Sequence, residues 1–249
     1  CHQQNSSSNQ LQNSQSLTLK YCKELEGLPD NLLNLTMSLN FNQKLKNLPP
    51  RLQKLTLGWY FNQKLENLPN SLWSLKLCGH FNQKLENLPS SLQKLTLGWY
   101  FNQKLENLPP NLQSLTLNTN YSQKIGELPH DLKSLTLGDS FNQKLVDLPR
   151  NLKSLTLGDS FNQKLENLPS SLQNLTLGVS FDQSLDLCVV LPKLKFLIVN
   201  KNYKRVIPLL FNITIIYVVY GAGNITEKRY VNYKNYNVNE WKHIFCKSI

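Results

Sequence analysis

Methionine occurs once in the 249 residues, and alanine only at Ala222. Packed helical cores draw heavily on both, so a helical bundle is a poor reading of this chain. Long hydrophobic runs are missing as well. No stretch approaches the roughly 18 apolar residues of a membrane helix, and no basic, apolar and small-residue succession marks a secretion signal at the start. The most apolar run, VIPLLFNITIIYVVY from Val206 to Tyr220, is broken by Pro208 and Asn212 and rich in β-branched residues, so it reads as strand. These absences imply a soluble protein with no membrane partner, expected in the cytoplasm.

Cysteine is sparse and scattered. Cys1, Cys22, Cys78, Cys188 and Cys246 are odd in number and form no CxxC pair, which excludes a zinc-site pattern and a disulfide framework. Reduced thiols are the expectation, with a Cys188–Cys246 pairing left open. Four glycosylation sequons begin at Asn34, Asn174, Asn212 and Asn224. The first two fall in the repeated strand segment, where a glycan would obstruct stacking, so they read as accidents of composition.

The groups that carry catalysis are equally thin. His2, His80, His130 and His243 stand alone, without a partner at ligand or triad spacing. The serines lack a neighbouring histidine or the glycines of a nucleophile elbow. Gly221-Ala222-Gly223 is too short to cradle phosphate. The chain reads as a non-enzyme with no metal and no cofactor.

What is present is repetition. Counted from its Phe, the unit F-N-Q-K-L-x-N-L-P-x-x-L-x-x-L-x-L-x-x-x recurs every 20 residues from Phe41 to Ser180, and less perfectly on both sides. Phe holds the first place except at Tyr121. Such a period carrying LxxLxL is a solenoid signature. The Leu-x-Leu alternation, as in Leu55 and Leu57 or Leu75 and Leu77, puts both leucines of a short strand on a buried face. One unit cannot surround its own Phe and leucines, so neighbouring coils must exclude the water. Each fully buried leucine then contributes roughly 1.5–3 kcal/mol.

The polar places are as regular. Asn fills the second place at Asn42, Asn62, Asn82, Asn102, Asn142 and Asn162. Gln fills the third at Gln43, Gln63, Gln83, Gln103, Gln123, Gln143, Gln163 and Gln183. An amide both donates and accepts, so stacked copies are expected to form structural ladders. Pro at the ninth place makes each Leu-Pro a corner, and Gly, usual at the eighteenth, suits a bend after the strand. The pattern predicts a mainly β solenoid with parallel sheets and little or no helix. Each coil is expected to hold two short strands, one around LxL and one near Q-K-L.

This unit, Phe-Asn-Gln-x-Leu followed by Leu-Pro-x-x-Leu-x-x-Leu-x-Leu as in Phe61 to Leu77, resembles the FNIP repeat family. That is a branch of leucine-rich-repeat proteins of social amoebae and giant DNA viruses. The resemblance spans about residues 20–200 and departs from the family in its 20-residue unit and its Lys at the fourth place. It implies a leucine-rich-repeat-like solenoid. Family members often carry an F-box before the repeats, and nothing in residues 1–20 looks like one.

Residues 1–16, mostly Ser, Asn and Gln, are expected to be a flexible segment of a processed or partial chain. Residues 17–200 form the solenoid, opening with a shortened coil at Leu17 to Pro29. Residues 201–249 are read as a degenerate last coil and cap. Leu194, Leu197 and Val199 are expected to align with Leu210, Ile213 and Ile215 at a shortened spacing of 16.

The net charge of +11 concentrates at this end, where eight Lys or Arg face only Glu227 and Glu240. Basic residues among Tyr203, Tyr217, Tyr220, Tyr230, Tyr233 and Tyr236 are compatible with nucleic acid. A closing cap that pairs with its copy is the favoured expectation, through Ile213, Ile215, Tyr217, Val219, Tyr220 and Trp241. Trp59-Tyr60, Gly79-His80 and Trp99-Tyr100 follow consecutive strands and give way to Asp139-Ser140 and Asp159-Ser160. Together with Trp73 and Lys76, these aromatics are the candidate partner-binding residues.

The functional expectation is therefore a protein-interaction scaffold that forms a homodimer through its C-terminal end. A structural or virion-assembly component and a nucleic-acid binder through residues 201–249 are the alternatives.

Overall fold

The computed structural model describes residues 15–19, 25, 27–185, 191–205, 207, 214–221 and 224–232. Within them the chain forms one 12-stranded sheet in strict sequence order. The strands are β1 (Ser16–Thr18), β2 (Asn34–Thr36), β3 (Lys54–Leu57), β4 (Ser74–Leu77), β5 (Lys94–Leu97), β6 (Ser114–Leu117), β7 (Ser134–Leu137), β8 (Ser154–Leu157), β9 (Asn174–Thr176), β10 (Phe196–Asn200), β11 (Thr214–Gly221) and β12 (Asn224–Asn232). β1 to β11 pair in parallel; β12 returns antiparallel on β11. No α-helix occurs among the described residues.

From β2 to β9 each fifteenth-place leucine pairs with its copy 20 residues on, as Leu55 with Leu75 and Leu95 with Leu115. Inside the coils, the leucines of the fifth, twelfth, fifteenth and seventeenth places join one continuous core. The first-place rings stack along it. Centroids from Phe41 through Phe81, Phe101, Tyr121 and Phe141 to Phe181 lie 6.1 or 6.2 Å apart, and Tyr203 closes the row at 5.9 Å from Phe181. Aromatic pairs in such contact contribute roughly 0.5–1.5 kcal/mol beyond their burial.

The second strand expected near Q-K-L does not form; only the LxL segment enters the sheet. Side chains connect the coils there instead. The Asn62 backbone N–H donates to Asn42 Oδ1 at 2.9 Å, and Gln63 Nε2 donates to the same oxygen at 3.2 Å. The pattern repeats for Asn82 and Gln83 on Asn62, for Asn102 and Gln103 on Asn82, and for Asn162 and Gln163 on Asn142. Asp182 and Gln183 donate likewise to Asn162. An amide oxygen reaching a backbone N–H replaces the ladder bond that irregular backbone cannot make.

Two further devices were not anticipated. The seventh place takes left-handed backbone, with φ between 49° and 57° at Asn47, Asn67, Asn87, Asn107, Asp147 and Asn167. Asn and Asp tolerate that conformation better than other non-glycine residues, which explains their choice just before Leu-Pro. At the eleventh place, the Ser71, Ser91 and Ser171 hydroxyls donate to Leu52, Leu72 and Leu152 carbonyls of the preceding coil. The corner itself is a turn in which the N–H of the twelfth-place leucine donates to the proline carbonyl, as Leu72 does to Pro69 at 3.0 Å.

The eighteenth-place glycines serve proximity more than bending. A Cβ at Gly138 would lie 2.0 Å from Asn118 O, and one at Gly158 would lie 2.4 Å from Gly138 O. The C-terminal spacing also differs from expectation. Leu197 pairs with Leu175 on one side and Ile215 on the other, giving steps of 22 and then 18 residues rather than 16. Ile215, expected beside Val199, therefore occupies the Leu197 row, and Val199 pairs with Tyr217. Leu210, Ile213 and Trp241 lie outside the described residues. Ile215 is buried and Tyr217 packs partly buried on the core, so both close the solenoid interior. The backbones of Val219 and Tyr220 belong to β11; their side chains are outside the described set.

Candidate interaction surface

After each strand the chain turns through the nineteenth and twentieth places before the next Phe. One backbone bond per coil stacks these turns: Tyr60 N–H donates to Leu39 O, His80 to Trp59 O and Tyr100 to Gly79 O, at 3.0, 2.8 and 3.1 Å. Identical geometry in every coil makes the side chains at these two places a ridge whose chemistry is free to vary. In three consecutive coils that chemistry is aromatic.

His80 lies between Tyr60 and Tyr100, with centroids 5.1 and 4.7 Å away and ring planes tilted by 22° and 32°. Trp59 meets Trp99 two coils on at 5.6 Å. Gly79 makes this second contact: a Cβ there would fall 2.6 Å from Trp59 Cδ2, and its φ of 27° suits glycine. A side chain at the nineteenth place of the middle coil would separate the two indoles. The rings nonetheless remain wet, since Tyr60 and Trp99 each keep 51% of their surface and Tyr100 45%. Leu39, 69% exposed, extends the apolar ridge by one coil.

The seven expected partner-binding residues divide. Trp59, Tyr60, His80, Trp99 and Tyr100 come together on the ridge. Trp73 does not join them: it precedes β4, at the opposite end of the strand, half-buried, with Lys54 Nζ 4.9 Å from its ring centroid. Lys76 is exposed on the outer face of the sheet, between Thr56 and Thr96. Leu39 was missed because a lone leucine in a coil full of leucines carries no distinguishing signal; its nineteenth place, shared with Trp59 and Trp99, could have found it.

Beyond Tyr100 the ridge turns polar. Thr119 Oγ1 lies 3.5 Å from Asp139 Oδ2, and Asp159 Oδ1 accepts from the Val179 N–H at 3.4 Å. Burial pushes the Cys78 thiol up, with nearby Lys76 opposing it, which makes the thiol a poor nucleophile. Among the described residues no group of His, Cys, Asp and Glu is arranged to hold a metal ion. A surface groove of about 820 Å³ lies between the coils at Lys144 to Arg150 and Asn162 to Pro169. Its charged rim of Lys144, Asp147, Lys164 and Glu166 surrounds no buried reactive group. No described helix is long and apolar enough to cross a membrane.

Comparison with known proteins agrees with this architecture. The FNIP Repeat family model matches residues 41–79, 81–120, 101–140, 120–158, 141–180 and 161–202. Among solved structures, CroV588 of the giant virus CroV, described as a novel circular LRR protein, is 43% identical, with a TM-score of 0.68 over 75% of this chain and 30% of its own. YopM from Yersinia enterocolitica WA-314 is 27% identical, with a TM-score of 0.50 over 71% of this chain and 44% of its own. The chain thus spans less than half the length of either. No curated protein gives a match.

Proposed function

The chain belongs to the FNIP repeat family, and from that premise we propose that it is a non-enzymatic scaffold that binds a protein partner through the ridge at Trp59, Tyr60, His80, Trp99 and Tyr100. One observation carries this reading: five rings joined by contacts, with Tyr60, Trp99 and Tyr100 about half in water, occupy places where the other coils carry no aromatic residue. Exposed aromatic clusters of this kind favour protein contacts. The rings of Tyr60, His80 and Tyr100 cover one another's faces, so the ridge offers ring edges, which suits apolar side chains better than the flat face of a sugar.

A photo-crosslinking residue at Tyr100, compared with the same residue at Ser160 in cells expressing the protein, tests the assignment. Products specific to position 100 and lost in Trp59→Ala/Trp99→Ala support it. Identical products from both positions would remove the ridge from consideration.

Self-association is a second reading, favoured by the end of the sheet. Among the described residues no strand pairs with the outer edge of β12, and an open edge can pair with its copy. Light scattering on the full chain and on a chain ending at residue 200 tests this homodimer. A dimer lost on truncation fits it; a monomer in both forms does not. A role in virion assembly, with the protein in the virion or the host cytoplasm, draws support from the giant-virus relative. Nucleic-acid binding by residues 201–249 rests on their basic and aromatic composition.

A further inference from the structure

The outer face of the sheet has a charge pattern that the rest of the coil does not share. On β3, β4 and β5 the outward side chains include Lys54, Lys76 and Lys94, all exposed and on adjacent strands. Lys133, Lys153 and Lys195 stand just before β7, β8 and β10, also exposed. The remaining outward residues from β3 to β9 are Ser, Thr and Asn. No Asp or Glu occurs in these strands, and Asp131, Asp139 and Asp159 lie beyond the strand ends. On the return segment, by contrast, Lys at the fourth place alternates with Glu66, Glu86, Glu106 and Glu166 at the sixth. Among the described residues the one ion pair is Arg205–Asp182, so the sheet lysines carry uncompensated charge.

We propose that this carboxylate-free lysine face docks an extended acidic segment of a partner polypeptide, running across the strands from Lys54 towards Lys153. The proposal rests on the reading that the molecule binds protein, but it uses a surface separate from the aromatic ridge. Coils stack at about 4.8 Å, so the path from β3 to β8 is about 24 Å. About seven or eight extended residues at roughly 3.3 Å each cover that distance. Hydroxyls and amides between the lysines supply hydrogen-bonding partners for such a backbone.

Charge argues against the chain filling its own face. Residues 233–249 hold Lys234, Lys242 and Lys247 against Glu240, and a second copy carries the same +11. Single-stranded nucleic acid is the other polyanion of suitable shape, and it is bound through exposed ring faces on which bases stack. The sheet's aromatic side chains include only Trp73 among the lysines of β3 to β5, and Lys54 already sits over its ring. That group of outward strand residues contains no arginine to fork onto phosphate.

The test is fluorescence anisotropy of a labelled oligoglutamate of about ten residues with the full chain, alongside oligothymidylate of equal charge. Binding should weaken at least about tenfold between low and physiological salt. Lys54→Glu/Lys76→Glu/Lys94→Glu should lose at least about tenfold, while Lys44→Glu/Lys64→Glu/Lys84→Glu, an equal change in net charge on the return segment, should lose less than about threefold. Should the first triple fail the circular-dichroism check for folding, Lys76→Gln and Lys84→Gln replace the two triples, with a loss of about two- to threefold expected from the first and none from the second. Trp59→Ala/Trp99→Ala should leave oligoglutamate binding unchanged; loss in that variant would transfer the contact to the ridge. Equal loss from both triples, no binding of oligoglutamate, or tighter binding of oligothymidylate would each overturn the proposal. Failure of the ridge crosslink with oligoglutamate binding intact would count against the ridge alone.

Discussion

The coils from Phe41 to Asn120 and those from Tyr121 to Ser180 have one interior and two exteriors. Inside, both bury the same leucines and continue the same ring stack. Outside, the first group carries the aromatic ridge and the lysines of β3 to β5, whereas the second carries Asp139, Asp159 and a hydroxyl-rich sheet. The coil at Tyr121 marks the seam. There Tyr replaces Phe, Ser122 replaces Asn, Ile125 replaces Leu and Gly126-Glu127 displaces the left-handed seventh place. Interior places are constrained by contacts above and below, so they are copied; turn places meet their neighbours through backbone, so their side chains diverge.

The largest effect expected is one that treats the two groups alike. Phe81→Ala and Phe161→Ala each remove a fully buried ring flanked by two others. Each should cost about 3–5 kcal/mol by urea denaturation. A difference of more than about half between them would show that the two interiors are not equivalent.

A smaller effect sharpens the seam. Asn102 Oδ1 accepts from the Ser122 N–H, but among the described residues Ser122 sends no bond on to Asn142, its hydroxyl being too short. Ser122→Asn should restore that link and raise stability by about 0.5–1.5 kcal/mol, while Asn82→Ala should lower it by about 1–2 kcal/mol. A destabilised Ser122→Asn would mean the seam is held in its present shape by something other than the missing amide.

The smallest effect appears only in alkali. Burial raises the phenol of Tyr121 well above its ordinary value. Burial also pushes Tyr203 up to about 12, with Arg205 opposing. Raised values mean the folded state holds these protons more tightly. Their contribution is therefore complete below the ordinary phenol value and is lost as pH rises through the raised ones. Above pH 10, the ordinary value of the group, the melting temperature of the parent should fall relative to that of Tyr121→Phe. Curves that stay parallel to pH 12 would show that Tyr121 does not contribute in this way.

Most of the fold was legible because the period is its own evidence: Leu55, Leu75 and Leu95 in register at 20 residues admit few alternatives to a stacked strand. The second strand was misread because Q-K-L has strand-like alternation, yet the segment between two corners is held by Asn and Gln side chains rather than backbone pairing. The 22- and 18-residue steps were hidden because, without the Phe-Asn-Gln anchor, several apolar residues compete for each row. For the ridge, the aromatic residues could be read in order, but the grouping could not. Trp73 and Trp59 differ in repeat place, thirteenth against nineteenth, and since one precedes β4 and the other follows β3, they stand at opposite ends of the strands.

The sequence by itself determined the periodic interior and the corners, because those follow from residue type and spacing along one chain. Only the tertiary structure decided which amide bonds to which coil, why Gly79 must be small, and that the lysines of the sheet share one face. Those depend on contacts about 20 residues apart, where the distance between neighbouring backbones, and not the order of residues, sets what fits.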